Sequence, residues 1–200
     1  MAHEPTEIVL ASQSPRRKEL MHHAGLKFRD ITHEAEESYP THLALKDIPV
    51  HIASKKAEAV RDVVRPDSAI IAADTIVCKD SKVMGKPSNE QEATHMLQEL
   101  SGRNHQVMTG VVISTPAIEE TFTEETSVTF KTLAPEEIEF YISRYKPFDK
   151  AGAYAIQEWI GLVAIDGLKG CYFNVVGLPV QRLWQKLQDI TPHLMPISSS

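Results

Sequence analysis

Residues 68–77 read SAIIAADTIV. Such an apolar run, entered past Pro66 and left through the polar turn KDSK (79–82), reads as a central strand buried on both faces. A strand covered on both sides needs helices above and below it, which points to an α/β fold. One residue does not fit the run. Asp74 puts a carboxylate into an apolar strand, and such a group needs a cation, a metal or several donors. An aspartate here either turns or caps the chain or does chemistry. Its apolar flanks favour chemistry, and ligand sites of α/β folds gather at strand ends.

The flanking segments supply the rest of that fold. Upstream, the spacing of Ile52, Ala53, Ala57, Val60 and Val64 predicts a helix from near Pro49 to about Arg65, stopped by Pro66. Before it lie an acidic loop, THEAEESYP (32–40), and short strands at Phe28–Ile31 and Ile8–Ala11. The first strand runs into LASQSPRRKEL (10–20), where Ser14 suits an N-cap and Pro15 the first helical position. Leu20, Met21 and Ala24 form that helix's apolar stripe, and Gly25 ends it.

Downstream, VMGKP (83–87) returns from the turn, and Ser88 with Gln91 reads as a capping box. The helix it opens buries Ala93, Met96, Leu97 and Leu100, and Gly102 ends it. Two long strands are expected at QVMTGVVIST (106–115) and EETFTEETSVTFKT (119–132). Pro135 opens a helix through about Tyr145. Strand signals recur at Ala155–Ile165 and Tyr172–Val176. GLP then leads into an amphipathic helix with Leu183, Trp184 and Leu187, and residues 192–200 are expected to fray. No repeat or linker divides the chain. The expectation is one mixed α/β domain over residues 1–200, a twisted mixed sheet flanked by helices with two lobes around a cleft.

The totals fit that reading. Two hundred residues with 42% hydrophobic content suit one sizeable domain. No apolar run approaches membrane-spanning length. The opening MAHEPTE lacks the basic start and apolar core of a secretory leader. Cys78 and Cys171 show no metal or redox spacing and read most simply as free thiols in a reducing cytosol, with a pairing left open. A net charge of −6 argues against a general nucleic-acid binder but not against a small anionic substrate.

Four further groups invite chemistry. Arg16 and Arg17 sit where the helix dipole is already positive, the end cations ordinarily avoid. With Ser12 and Ser14 they either surround an anion at the helix start or decorate a capped surface helix. There is no glycine-rich phosphate loop. Lys56 and Lys86 either reach a phosphate or are solvated. Among Glu34, Glu36 and Glu37, one carboxylate suits Mg²⁺, which takes few carboxylates with water and phosphate, or the loop is simply solvated. In GAYAIQEWIG (152–161), Gln157 has the donor and acceptor needed to read a base edge, while Trp159 is best read as packing. The nine histidines show no metal-ligand spacing.

LASQSPRRKEL, AADTIV, GKP, GAYAIQ and NVVGLP occur here in the order in which they occur in the Maf family of nucleoside triphosphate pyrophosphatases, which residues 7–190 closely resemble. DKAGAYAIQ (149–157) resembles the subgroup acting on dTTP and UTP rather than the one acting on 7-methyl-GTP. The resemblance implies a fold similar to the inosine triphosphatase (Maf/Ham1-like) family, a divalent cation (Mg²⁺ or Mn²⁺) and a cytoplasmic setting. It is compatible with a homodimer and implies no nucleic-acid or membrane partner. It implies hydrolysis of dTTP, UTP and related modified pyrimidine nucleotides to monophosphate and pyrophosphate, a house-cleaning of nucleotide pools. A nucleotide-binding regulator of septum formation is the alternative. No nucleotide-kinase motif supports phosphotransfer.

Carried over by position, Asp74 matches the family's proton acceptor. Arg16, Thr75 and Gln157 match its substrate-selecting positions. Ser12, Arg16, Arg17, Lys56 and Lys86 line the phosphate site, with Lys86 assigned to catalysis alongside Asp74. Asp74 and Glu37 are the implied metal ligands. One departure stands out: where many relatives have glycine after the glutamine, this chain has Glu158 and Trp159.

Overall fold

The computed structural model describes residues 4–32 and 34–197. Its strands are β1 (Glu7–Ala11), β2 (Arg29–Ile31), β3 (Ser68–Lys79), β4 (Lys82–Met84), β5 (Asn104–Ser114), β6 (Glu119–Phe130) and β7 (Ile165–Lys169). They form one mixed seven-stranded sheet in the order β2-β1-β3-β5-β6-β7, with β4 also paired to β3. The helices are α1 (Pro15–His23), α2 (Ile48–Val60), α3 (Glu90–Leu100), α4 (Pro135–Tyr145), α5 (Trp159–Ala164), α6 (Tyr172–Val176) and α7 (Val180–Ile190). The chain divides into two compact units. The first comprises residues up to Asp74 with 109–124 and 177 onward; the second comprises 75–108 and 125–176.

In the first unit β1 lies parallel to both β2 and β3, with Leu10 opposite Asp30 on one side and Ile71 on the other. The expected double-faced burial holds: Ala69 to Ala73 of β3 are all buried. Ala53, Ala57 and Val60 of α2 pack on Ala11, Ile70, Ala72 and Val112. Small residues on both sides bring helix and sheet close. Gly110 of β5 shows how close, because a Cβ there would lie 2.2 Å from the Val50 nitrogen. The helix stops at Val60 rather than near Arg65, and a 3-10 turn over Arg61–Val63 replaces its last turn. Val63 and Val64 are β-branched and the chain must be extended before Pro66.

Residues 192–197 do not fray as expected. Pro192–Leu194 forms a 3-10 turn, Met195 is buried, and the His193 ring lies 2.6 Å from the Pro5 carbonyl oxygen. Residues 198–200, part of the same expectation, lie outside the described residues.

In the second unit β3 turns back into β4 through Asp80 and Ser81, both at positive φ (49° and 63°), as a tight hairpin requires. The α3 cap is one residue later than expected. Asn89 Oδ1 accepts the Glu92 N–H at 2.9 Å, and Glu92 reaches back to the Ser88 N–H at 2.8 Å. Two expected strands are largely helical: Trp159–Ala164 and Tyr172–Val176 are short helices, and strand structure begins only at Ile165. Asn174 holds the second of these in place, donating to the Val107 carbonyl (3.0 Å) and to Thr126 Oγ1 (2.8 Å).

Both cysteines are free, and burial with the nearby Glu125 charge pushes the Cys78 thiol up to about 11. A buried histidine gives this unit a pH signature. His105 Nε2 lies 2.7 Å from the Tyr154 hydroxyl, its ring stands edge-on to Phe130 and Tyr154, and Nδ1 has no partner among the described residues. Burial lowers its pKa to about 4 from 6.5. The unfolded chain therefore takes up a proton that the folded chain refuses between those values. Stability is full above pH 6.5 and falls by about 3 kcal/mol as pH drops to 4. Urea midpoints measured across that window should fall for the parent protein, and His105→Gln should make the fall shallower, the remainder coming from carboxylates such as Glu7, which Arg29 holds below its usual range.

Candidate active site

The first unit gathers most of the expected residues. Ser12 ends up buried just past β1, and its Oγ accepts the Ser14 N–H at 3.2 Å and Arg17 Nη1 at 3.4 Å. Ser14 stands at the N-cap of α1, but its hydroxyl makes no capping bond. Arg17 is buried, and its Nε donates to the Gly177 carbonyl at 2.8 Å. That bond joins two segments read separately in the sequence, SPRRKEL and NVVGLP. Burial lowers the Arg17 pKa, the Asp74 and Glu37 carboxylates raise it, and Arg16 lowers it. Three neighbouring charges thus act on Arg17. The guanidinium itself stays charged at any physiological pH.

Asp74 sits within β3 rather than at its end, the last residue of the first unit. Its side chain is 11% exposed, so it needs a partner, and Lys56 from α2 supplies one: Nζ lies 2.6 Å from Asp74 Oδ1. The same ammonium lies 2.9 Å from Glu37 Oε1. One cation therefore bridges two carboxylates, one from the central strand and one from the acidic loop. Lys55, the preceding residue on α2, holds that loop through the Ser38 carbonyl (2.9 Å) and hydroxyl (3.0 Å). Glu36 and Glu34 are not in this bridge.

Among the described residues no three His, Cys, Asp or Glu side chains cluster to hold a metal alone. The donor set nevertheless fits a hard cation, since Asp74 and Glu37 already share the positive charge of Lys56. Two carboxylates are also what Mg²⁺ takes when water and phosphate complete its shell.

The second unit holds Thr75, Lys86 and Gln157. Thr75 follows Asp74 on β3 and is half-buried. Lys86 is exposed in the loop between β4 and α3. The Gly152 N–H donates to the Gly85 carbonyl at 3.0 Å, which ties that loop to the segment leading to Gln157. Gln157 is exposed between buried Ile156 and half-buried Glu158.

Sequence reasoning missed Tyr141. It is fully buried on α4, accepts the Ala155 N–H at 3.2 Å and donates to Glu158 Oε2. A signal was present: a tyrosine in the apolar stripe Ile138–Tyr141–Ile142 must satisfy its hydroxyl somewhere. Trp159 packs as expected, edge-on to Phe140 at 4.9 Å.

These residues lie within a chain with many relatives. A dTTP/UTP pyrophosphatase of Phocaeicola vulgatus is 52% identical over 188 residues, 94% of this chain and 97% of that protein. One of Bacteroides thetaiotaomicron is 45% identical over 92% of this chain and 96% of that protein. Among solved structures, the Staphylococcus aureus Ham1 protein is similar at 16% identity and a TM-score of 0.45, over 62% of this chain and 72% of that one. That distant likeness assigns no residue a role. The family model for Maf-like protein matches residues 7–190, from the first residue of β1 to the last of α7, and so the chain belongs to the Maf family.

Proposed function

We propose that this chain is a nucleoside triphosphate pyrophosphatase that hydrolyses dTTP and UTP to the nucleoside monophosphate and pyrophosphate. The observation that carries the reading is the Lys56 ammonium shared by Asp74 and Glu37, in electrostatic reach of buried Arg17. The names of the relatives at 45–52% identity support it.

Water adds at phosphorus, the P–O bond between the α- and β-phosphates breaks, and pyrophosphate leaves with that oxygen. Asp74 accepts the proton from the attacking water. Arg16, Arg17, Lys56 and Lys86 offset the negative charge that grows on the phosphate oxygens, and Ser12 orients Arg17. Asp74 and Glu37 would hold a divalent ion, Mg²⁺ or Mn²⁺, which supplies charge stabilisation and a more acidic water. Gln157, with Thr75 and Arg16, selects the pyrimidine. A site whose amide must be paired rejects a base that leaves it unpaired. A cytoplasmic pool of nucleotides suits this activity. The described residues contain no helix long and apolar enough to cross a membrane.

The test is product identity. Purified protein is incubated with dTTP, UTP, CTP and GTP plus Mg²⁺ or Mn²⁺, and products are separated by ion exchange. Monophosphate and pyrophosphate from dTTP and UTP are expected. Diphosphate and orthophosphate would rule out α–β cleavage. Tight binding without turnover would instead favour the nucleotide-binding regulator.

A further inference from the structure

We infer that Glu158 is a positioning residue for base selection: anchored to Tyr141 and Lys150, it fixes the 155–158 turn that enters α5, so that Gln157 presents its amide to the pyrimidine. The inference rests on the proposed role of Gln157.

The loop is tied at several points. The Glu158 N–H donates to the Ala155 carbonyl at 3.0 Å, and the Gly161 N–H donates to the Glu158 carbonyl at 2.9 Å. Tyr141 then holds both ends of the first turn at once, through the Ala155 N–H and the Glu158 carboxylate. Its ring is itself fixed, fully buried and stacked on Tyr145 at 5.1 Å. Burial and the neighbouring carboxylate push the Tyr141 pKa up, so its hydroxyl keeps its proton at neutral pH. Lys150, with a side chain only 9% exposed, brings Nζ to 3.4 Å from Glu158 Oε1 and 2.7 Å from Asp149 Oδ1. The next residue, Trp159, leans on Phe140 of the same helix.

Helix α4 thus grips residues 155, 158 and 159, and Gln157 is the exposed residue between the grips. A glycine at position 158 would offer neither anchor. The Glu158 carboxylate faces Tyr141 and Lys150, so it acts on the base through the turn that carries Gln157.

A loosened Gln157 costs recognition more than chemistry, because orienting groups lose their effect when displaced by about 1 Å. Steady-state kinetics on UTP, dTTP, CTP and GTP, with melting temperatures, should be compared for the parent, Glu158→Ala, Glu158→Gln, Tyr141→Phe and Gln157→Ala. Glu158→Ala should raise KM for UTP and dTTP about tenfold, with a smaller change in kcat, and narrow the preference over CTP by a similar factor. Glu158→Gln keeps an acceptor for Tyr141 and should recover most of the loss. Tyr141→Phe should fall between them and serves if Glu158→Ala does not fold.

If Gln157→Ala shifts the preference while Glu158→Ala and Tyr141→Phe lower only the melting temperature, the positioning role is overturned. If Gln157→Ala leaves the preference unchanged, the base-reading role of Gln157 falls, and the inference with it.

Discussion

Asp74→Asn is expected to lower kcat for dTTP and UTP by about 10²–10⁴-fold while leaving the protein folded, the loss typical of removing a positioned proton acceptor. The substitution keeps the shape of the side chain and an oxygen that can accept from Lys56. Lys56 also retains Glu37 at 2.9 Å, so its ammonium is not abandoned in a half-buried place. That separates this variant from Asp74→Ala, which breaks the Asp74–Lys56 pair, whose side chains are only 11% and 17% exposed. Losing one partner of a largely buried pair costs stability in its own right. Initial rates and a thermal melt on the same preparation distinguish the cases. An Asp74→Asn protein with a parental melt and turnover within tenfold would remove Asp74 from the chemistry.

Gly161→Ala carries the largest expected cost to stability. A Cβ at 161 would sit 1.6 Å from the Ile156 carbonyl oxygen and 2.5 Å from its carbon. Both are backbone atoms, so no rotamer change relieves the clash, and the loop before α5 that holds Ile156 and Gln157 must be displaced. The cost should be about 3 kcal/mol or more. For a chain of this length that is a fall in melting temperature of roughly 6–12 °C. Preference for dTTP and UTP should collapse with it, since Gln157 lies inside the displaced loop. Gly85→Ala is the matched control: nothing lies within 4 Å of its added methyl, and stability should change by no more than about 0.5 kcal/mol. A Gly161→Ala protein that melts with the Gly85→Ala control would show that the loop tolerates opening.

Helices whose apolar residues recur at regular spacing were legible from sequence, as was the doubly buried β3. Segments 159–164 and 172–176 were not. WIGLVA and YFNVV have strand composition, yet each is only one or two turns of chain whose form is set by distant partners. For the second, those partners are Val107 and Thr126, 67 and 48 residues away from Asn174.

The candidate site divides in the same way. Residue types pointed to the proposed chemistry: a carboxylate in an apolar strand, arginines at a helix start, an amide in a constrained loop. Pairings did not follow from type. Arg17 meets the carbonyl of a residue 160 positions away, and Lys56 meets carboxylates 18 and 19 positions away in opposite directions along the chain. The family resemblance implies a phosphate-site role for Lys56, and the structure pairs its ammonium with Asp74 and Glu37.

The Arg17–Gly177 bond also bears on how the protein is made. The first unit is assembled from three separate stretches, and the last begins at the residue whose carbonyl anchors the arginine. On a ribosome, Ser12, Arg17, Lys56 and Asp74 are all synthesised long before that anchor exists. A nascent chain therefore cannot anchor this arginine until nearly all of it has emerged, and closing contacts so distant in sequence is slow. Nucleotide binding should be among the last properties acquired during biosynthesis, and a chain released before residue 177 would carry the arginine without its anchor.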